Sequence, residues 1–234
     1  MKTKQETAPP AVLAEIYPGL FYCVDRSLEP RDESKHELHF DAKIYGTLAD
    51  GQNYERRILG TMEVTIIRGN AFYDQSANPW AIFDSEGELA EAGEMLINFT
   101  KSEYKPVVSK LFGNAFLGDN FIHIQKLKVS PAARGQKLGL LAMGALISDW
   151  GETSSLAILK PFPLQFAIQQ TKSTIAGKEA AAIKKLRKYY ELAGFRAIGK
   201  SGFMGFCCAE GQPRIDASEC FYIDLNEWEK LELL

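Results

Sequence analysis

Hydrophobic and polar residues alternate along two stretches in the first third of the chain. The first stretch has apolar side chains at every second position, at Leu38, Phe40, Ala42 and Ile44. The second has the same spacing at Met62, Val64 and Ile66. Such alternation is typical of a strand with one buried face, and Asp50-Gly51 between the two stretches is a turn signal. The pattern therefore predicts a β-hairpin.

Later segments have a helical period instead. Residues 138–150 are apolar on nearly all sides, which predicts a helix that is buried on both sides. Residues 178–193 form a second predicted helix with Gly194 as its C-terminal cap and one apolar face, made by Ile183, Leu186, Tyr190 and Ala193. The acidic segment 79–99 predicts one or two helices with a solvated face, and 102–112 predicts another short helix.

The strand predicted over residues 121–129 changes phase part-way along its length. Its apolar positions are even at first and odd later, at Ile122 and Ile124 and then at Leu127 and Val129. One extra residue near Gln125 would produce this shift, as in a β-bulge, and a bulge bends a strand away from its neighbour. The alternative is a strand that is buried at one end only and has no bulge.

These elements predict an α/β (α+β) fold in a single domain over residues 1–234. Within it we expect four parts: a flexible lead-in (1–18), an N-terminal β-hairpin elaboration with helices (19–120), a core (121–208), and a C-terminal strand and tail (209–234). Short apolar segments predict the closing strands of the sheet, at 156–159, 195–198, 203–207 and 220–223.

The composition is that of an ordinary globular protein. Of the 234 residues, 46% are hydrophobic and 24% are charged, and the net charge of −3 disfavours nucleic-acid binding over the whole surface. No apolar run is long enough to span a membrane, and the polar, Pro-containing residues 1–10 do not resemble a signal peptide, so we expect a cytoplasmic protein. The four cysteines lack metal-ligand spacing, which predicts no metal.

The most informative segment is 128–139, where a predicted strand ends in a Pro turn and an Arg-Gly loop leads at once into the buried helix. This arrangement directs several backbone N–H groups of the loop towards one place. That place is also the positive end of the helix dipole. The segment therefore predicts an anion site, most naturally one for a pyrophosphate.

The order of these features resembles the GNAT superfamily of acetyl-CoA-dependent N-acetyltransferases, over about residues 121–208. Two motifs carry the resemblance. After Val129-Ser130-Pro131, the segment Arg134-Gly135-Gln136-Lys137-Leu138-Gly139 is similar to the family pattern Arg/Gln-x-x-Gly-x-Gly/Ala. Further on, Tyr189-Tyr190-Glu191-Leu192-Ala193-Gly194-Phe195 is similar to the family segment Tyr-Glu-x-x-Gly-Phe.

The resemblance implies a twisted mixed β-sheet flanked by helices on both faces, with acetyl-CoA as co-substrate and no metal. The backbone of the bulged strand, including Leu127 and Val129, would pair with the pantetheine arm. The pyrophosphate would be held by the loop residues Arg134, Gly135, Gln136, Lys137, Leu138 and Gly139. The hydroxyl of Tyr190 would protonate the leaving thiolate, with Tyr189 as the second choice for that role.

The chain departs from the family pattern at two positions that matter for chemistry. Lys137 stands where the family has a glycine, and its side chain either points outward and adds a favourable charge or crowds the phosphate site. Gln125 stands where many relatives carry the carboxylate that acts as general base. The base therefore stays open, with Glu94 and Asp119 as candidates.

The leading hypothesis is an acyltransferase that moves an acetyl group from acetyl-CoA to a primary amine by direct attack in a ternary complex. One alternative is a catalytically inactive CoA-binding module of the same fold. Another is an RNA-directed acyltransferase, for which the basic face of the helix over 178–193 is the only hint. Whether the acceptor amine belongs to a small molecule or a peptide stays open, as does the oligomeric state, for which a homodimer is the commonest form.

Overall fold

A computed structural model describes residues 13–24, 36–48, 55–69, 83, 87–113, 115, 119–164, 173–216 and 220–234. The predicted turn at Asp50-Gly51 lies outside these residues. The helices are α1 (Gly87–Leu96), α2 (Pro106–Leu111), α3 (Leu138–Trp150), α4 (Ser173–Glu191) and α5 (Leu225–Trp228). No helix in these ranges is both long enough and apolar enough to cross a membrane.

The strands form one large mixed sheet and one small sheet. They are β1 (Leu13–Val24), β2 (Glu37–Leu48), β3 (Arg56–Ile67), β4 (Ile97–Asn98), β5 (Glu103–Tyr104), β6 (Asn120–Val129), β7 (Ser154–Leu159), β8 (Arg196–Ala197), β9 (Met204–Cys207) and β10 (Phe221–Asp224). The large sheet has eight strands in the order β10-β1-β2-β3-β6-β7-β9-β8. Its β6–β7 pair is parallel and its other pairs are antiparallel. A mixed α/β fold agrees with the predicted class.

The first strand begins earlier than the sequence pattern predicts. It starts at Leu13, inside the segment expected to be a flexible lead-in, and Ala14 and Ile16 on it are buried. Pro18 obscures the strand in the sequence because proline cannot donate a ladder hydrogen bond. It is tolerated here since β10 pairs with β1 only as far as Ile16, which leaves the edge beside Pro18 without a described strand.

Helices cover both faces of the large sheet. On one face, α1 and α2 pack in a core cluster that includes Leu89, Leu96, Val108, Phe121 and Ile158. On the other face, α3 packs in a cluster that includes Ile122, Ile124, Leu140, Met143 and Leu159. Alternate side chains of β6 and β7 therefore point into different cores, which explains why β7 is buried along its whole length.

The phase change predicted in β6 is a β-bulge. Lys126 pairs with Glu63 on β3, but the next pair is Ile124 with Val64, so Gln125 is the extra residue. The insertion keeps Leu127 in the core beside α3 although it lies at an odd position. The bulge therefore reconciles the two apolar phases in the sequence.

The parallel pairing between β6 and β7 ends at the same place. Its last pair is Ile124 with Leu159, after which β7 stops and β6 continues to Val129 with β3 as its described partner. From Gln125 onward, the edge of β6 that faces β7 has no strand beside it in the described residues. The sheet therefore opens into a cleft next to the start of α3.

The close contact between β3 and the end of β6, where Gly60 pairs with Val129, depends on that glycine. A Cβ at Gly60 would lie 2.4 Å from the carbonyl oxygen of Lys128, which belongs to the backbone and cannot rotate away. We expect Gly60→Ala to lower the free energy of unfolding in urea by about 2 kcal/mol, as overpacked sites do. Gly87→Ala is the control, because a Cβ there meets nothing within 4 Å. Equal stabilities of the two variants would contradict this account of the β3–β6 contact.

Candidate functional site

A cavity of about 680 Å³ lies between the end of β6, the loop that begins α3, the segment after β7, and α4. We call it the loop cavity. Most of the residues predicted to bind a cofactor line it together with the predicted acid, namely Leu127, Val129, Arg134, Gly135, Lys137, Leu138, Gly139 and Tyr190. The fold thus brings the two sequence motifs together around one space, although they are separated in the chain.

The loop before α3 presents backbone N–H groups that have no internal acceptor. The amides of Ala133 and Arg134 bond to the carbonyls of Ser130 and Pro131, at 3.0 and 3.3 Å. The amides of residues 135–138 donate to no carbonyl within the described residues. These donors lie at the positive end of the α3 dipole, so the loop has the chemistry of an anion site.

Lys137 adopts the backbone conformation that favours glycine. Its φ of 60° lies in the left-handed region, at the position where the resembling family has a glycine. Its ammonium donates to the carbonyl of Asp216, which lines a neighbouring hollow of about 310 Å³ and not the loop cavity. Of the two orientations considered from the sequence, this is the outward one.

Gln136, whose backbone amide is predicted to contribute to the anion site, is not among the described residues that line the loop cavity. Its Oε1 accepts from the amide of Tyr222 and its Nε2 donates to the carbonyl of Tyr222, both at 2.9 Å. The side chain thus binds the backbone of β10 as a neighbouring strand would. This non-local contact anchors the loop to the edge of the sheet and leaves only the backbone of Gln136 available for a ligand.

The loop cavity is lined by cationic and apolar side chains. Its charged lining residues are all cations: Lys128, Arg134, Lys137 and Lys185. Arg134 also donates its Nε to the carbonyl of Val129 at 2.9 Å, which holds the guanidinium beside the end of β6. The apolar walls include Leu127, Val129, Phe162 and Leu186. Such a cavity suits an anionic ligand with a long, uncharged arm.

Tyr189 has a structural role at the start of α3. Burial raises the pKa of its hydroxyl, and hydrogen bonds from the backbone amides of Leu140 and Gly139 offset part of that increase. A Cβ on Gly139 would lie only 3.2 Å from the Tyr189 oxygen, so the glycine lets the hydroxyl reach the helix start. The Tyr189 hydroxyl therefore lies beside the first residues of α3.

Tyr190 differs from its neighbour because it lies where two cavities meet, whereas Tyr189 lines one of them. It lines the loop cavity and also a second cavity, and its hydroxyl has no hydrogen-bond partner among the described residues. Burial raises the pKa of Tyr190 to about 12, with a smaller contribution from Tyr189. A raised pKa keeps the phenol protonated at neutral pH, so Tyr190 is available as a proton donor.

The second cavity, of about 280 Å³, continues from the first through the gap between β6 and β7. We call it the cleft cavity. It shares Leu127, Phe162, Leu164 and Tyr190 with the loop cavity. Lys160 and Phe162, from the segment that follows β7, also line the cleft cavity.

Two carboxylates that the sequence did not single out, Glu63 and Glu88, line the cleft cavity. Glu63 could have been found from its strand register, because it lies opposite Lys126 and receives a hydrogen bond of 2.6 Å from it. Glu88 comes from α1, in the acidic segment 79–99 for which the sequence predicts a solvated face. The candidates Glu94 and Asp119 are not among the described residues that line either cavity.

Glu88 is in contact with a buried histidine. Its Oε1 lies 3.2 Å from Nε2 of His123, whose side chain is fully buried. Within the described ranges, no group of three or more histidine, cysteine, aspartate or glutamate side chains could hold a metal ion. The site therefore consists of a cationic loop, a tyrosine hydroxyl at the junction, and a cleft with a carboxylate–histidine pair.

Comparison with known proteins adds little to this description. No known protein family and no curated protein matches the chain. Among solved structures, a chain of the crystal structure of the KacTA–DNA complex is similar with a TM-score of 0.37 and 8% sequence identity, covering 75% of this chain and 70% of that chain. A likeness at this TM-score carries no argument about fold or function.

The left-handed conformation at residue 137 leads to a stability prediction. Lys137→Val and Lys137→Asn both remove the bond to Asp216, but valine is β-branched and asparagine tolerates a positive φ. We expect the valine variant to be less stable than the asparagine variant by about 1–3 kcal/mol in urea unfolding. Equal stability of the two variants would contradict the backbone conformation described for this loop.

Proposed function

We propose that the protein is an acetyl-CoA-dependent N-acetyltransferase that transfers an acetyl group to a primary amine by direct attack. One observation supports this most strongly. The loop cavity joins three features: the loop of residues 135–138, whose amides have no carbonyl acceptor among the described residues; the part of β6 beyond Gln125, which has no described strand on its β7 side; and Tyr190. These are the three features that a diphosphate, an extended amide-containing arm and a leaving thiolate require, in that order.

The loop cavity would hold the cofactor. The diphosphate would accept hydrogen bonds from the amides of residues 135–138, with Arg134 and Lys185 supplying positive charge. The two amides of the pantetheine arm would pair with the edge of β6 beyond Gln125, in the place that β7 leaves empty. The thioester would then lie at the junction of the two cavities, beside Tyr190.

The chemistry at that junction would be simple acyl transfer. A neutral amine from the cleft cavity attacks the thioester carbon, and backbone N–H groups of the bulged strand stabilise the negative charge on the oxygen. The C–S bond then breaks, and Tyr190 donates its proton to the sulfur, while the nitrogen loses one proton, which restores Tyr190 through solvent. No cysteine is among the described residues that line either cavity, and burial raises the pKa of the Cys208 thiol to about 12, so direct transfer is favoured over an acyl-cysteine intermediate.

The same geometry separates this proposal from a module that binds CoA without transferring the acetyl group. Such a module was suggested by Lys137 and by the missing carboxylate on β6. The outward direction of the Lys137 ammonium removes the first reason. The free hydroxyl of Tyr190 and the carboxylates in the cleft cavity weaken the second.

Binding of acetyl-CoA is the first test. We expect calorimetric titration to give a micromolar dissociation constant, and we expect Arg134→Ala to weaken it about tenfold because a charged contact to phosphate is lost. Lys188→Ala removes the same charge from the exposed face of α4 and should leave the affinity unchanged. The proposal is wrong if the wild-type protein gives no binding at high-micromolar ligand.

Tyr190→Phe tests the proton donor. We expect turnover with an accepted amine to fall about a hundredfold while the affinity for acetyl-CoA stays nearly the same, because only the acid is removed. Tyr189→Phe is the matched control, and it should lower the melting temperature by removing the bonds at the start of α3 while turnover is largely kept. Turnover that falls equally in both variants would assign Tyr190 to packing instead.

A further inference from the structure

β6 has Gln125 in place of a carboxylate, but Glu88 of α1, a helix on the other face of the sheet from α3, lines the cleft cavity. We propose that Glu88 on α1 is the general base that deprotonates the acceptor, that His123 positions it, and that the acceptor enters as a cationic primary amine. This inference rests on the proposed acetyl transfer, because the base acts on the amine that attacks the thioester. It adds a residue and a substrate charge that the transfer reaction alone does not specify.

The side chain of Glu88 lines the cleft cavity and also contacts a buried residue of the core. Its side chain is 38% exposed and lines the cleft cavity, whereas the His123 side chain is 0% exposed. Since Tyr190 lines the same cavity, the base and the acid would stand at two places around one bound amine. An acyl transfer that begins from an ammonium ion needs both groups around the reacting atoms.

Glu63 lines the same cavity but suits the role less well. Its Oε1 accepts from the ammonium of Lys126 at 2.6 Å, and an ammonium can donate protons but has no lone pair to accept one. The imidazole of His123 can do both. Its Nε2 contacts Glu88, and its buried Nδ1 has no hydrogen-bond partner in the part of the chain that the structure describes. A proton taken by Glu88 can therefore be shared with the ring.

The charges around the cleft cavity favour a cationic acceptor. Four charged side chains line it, namely Glu63, Glu88, Lys126 and Lys160. Both lysines are paired, Lys126 with Glu63 and Lys160 with Glu91 at 2.5 Å. Glu63 is therefore paired with a permanent cation. Glu88, the other described carboxylate of the lining, instead contacts His123, which is not a permanent cation. It is left to attract an ammonium group, while the neighbouring loop cavity has only cations and suits the cofactor.

Atoms and charges balance in the proposed step. Glu88 removes one proton from the ammonium group, and the freed lone pair forms the C–N bond to the acetyl carbon. The C–S bond breaks with its electrons on sulfur, which takes the proton of Tyr190. The second proton lost by the nitrogen restores Tyr190 through solvent. The products are the acetamide, the free thiol of CoA, and one proton that Glu88 releases.

Two small acceptors of matched size test the base directly. Methylamine is an ammonium ion at neutral pH, whereas hydroxylamine is largely neutral there and needs no base before it attacks. Acetyl transfer to each is measured at saturating acetyl-CoA, with the rate in the absence of protein subtracted. The variant is Glu88→Gln, and Glu94→Gln is the control because Glu94 lies on the same helix but lines neither cavity.

We expect Glu88→Gln to lower the methylamine rate about a hundredfold and to leave the hydroxylamine rate nearly unchanged. Glu94→Gln should change neither rate. An unchanged methylamine rate in Glu88→Gln would overturn the base while the acetyltransferase proposal stands. If the wild-type protein fails to bind acetyl-CoA, or binds it and acetylates neither amine, the proposed function fails and the base fails with it.

His123 is tested as a positioning residue by a conservative and a non-conservative variant. His123→Gln keeps a hydrogen-bonding group near Glu88 and should retain most of the methylamine rate, whereas His123→Leu should lose it and still acetylate hydroxylamine. Thermal melts of both variants report folding separately. Loss of both rates in proportion to the melting temperature would assign His123 to core packing alone.

Discussion

The end of the parallel pairing between β6 and β7 is the constraint on which the site depends. Beyond Ile124 the two strands no longer share hydrogen bonds, and the extra residue Gln125 turns β6 so that its apolar side chains still reach the core beside α3. A backbone edge without a partner is unfavourable unless water or a ligand satisfies its polar groups. Packing of the β6 side chains in the core therefore maintains the opening. An extended ligand with amide groups of its own could form the missing hydrogen bonds.

The two cavities on either side of this opening have different charge. One has only cations among its charged lining residues, and the other has two carboxylates with two paired lysines. Tyr190 lies where they meet, and its neighbour Tyr189 instead binds the start of α3, because successive residues of a helix point in different directions. A donor with a diphosphate and an acceptor with an ammonium group would thus be guided to opposite sides of the same hydroxyl.

The sequence predicts these parts unevenly, and the reason is the range of each interaction. The limits of α3 follow from local periodicity, and the loop before it from its turn residues, because a turn and a helix start are determined by adjacent residues. The change of phase in β6 leaves a bulge at Gln125 as one of two alternatives, and the strand register decides for the bulge. The contact of Glu88 with His123 joins α1 to β6, and the contact of Gln136 with Tyr222 joins the loop to β10. Neither pair leaves a pattern in the chain, so only the folded structure brings them into view.

The central claim is that the amides before α3 and the end of β6, beyond its pairing with β7, bind one ligand. Hydrogen exchange measured by mass spectrometry with and without CoA tests it most directly. The account predicts slower exchange on binding in two separate segments, residues 135–138 and residues 125–129, with no change in β10 or at the far edge in β8. Slower exchange in only one of the two segments, or in neither, would contradict it.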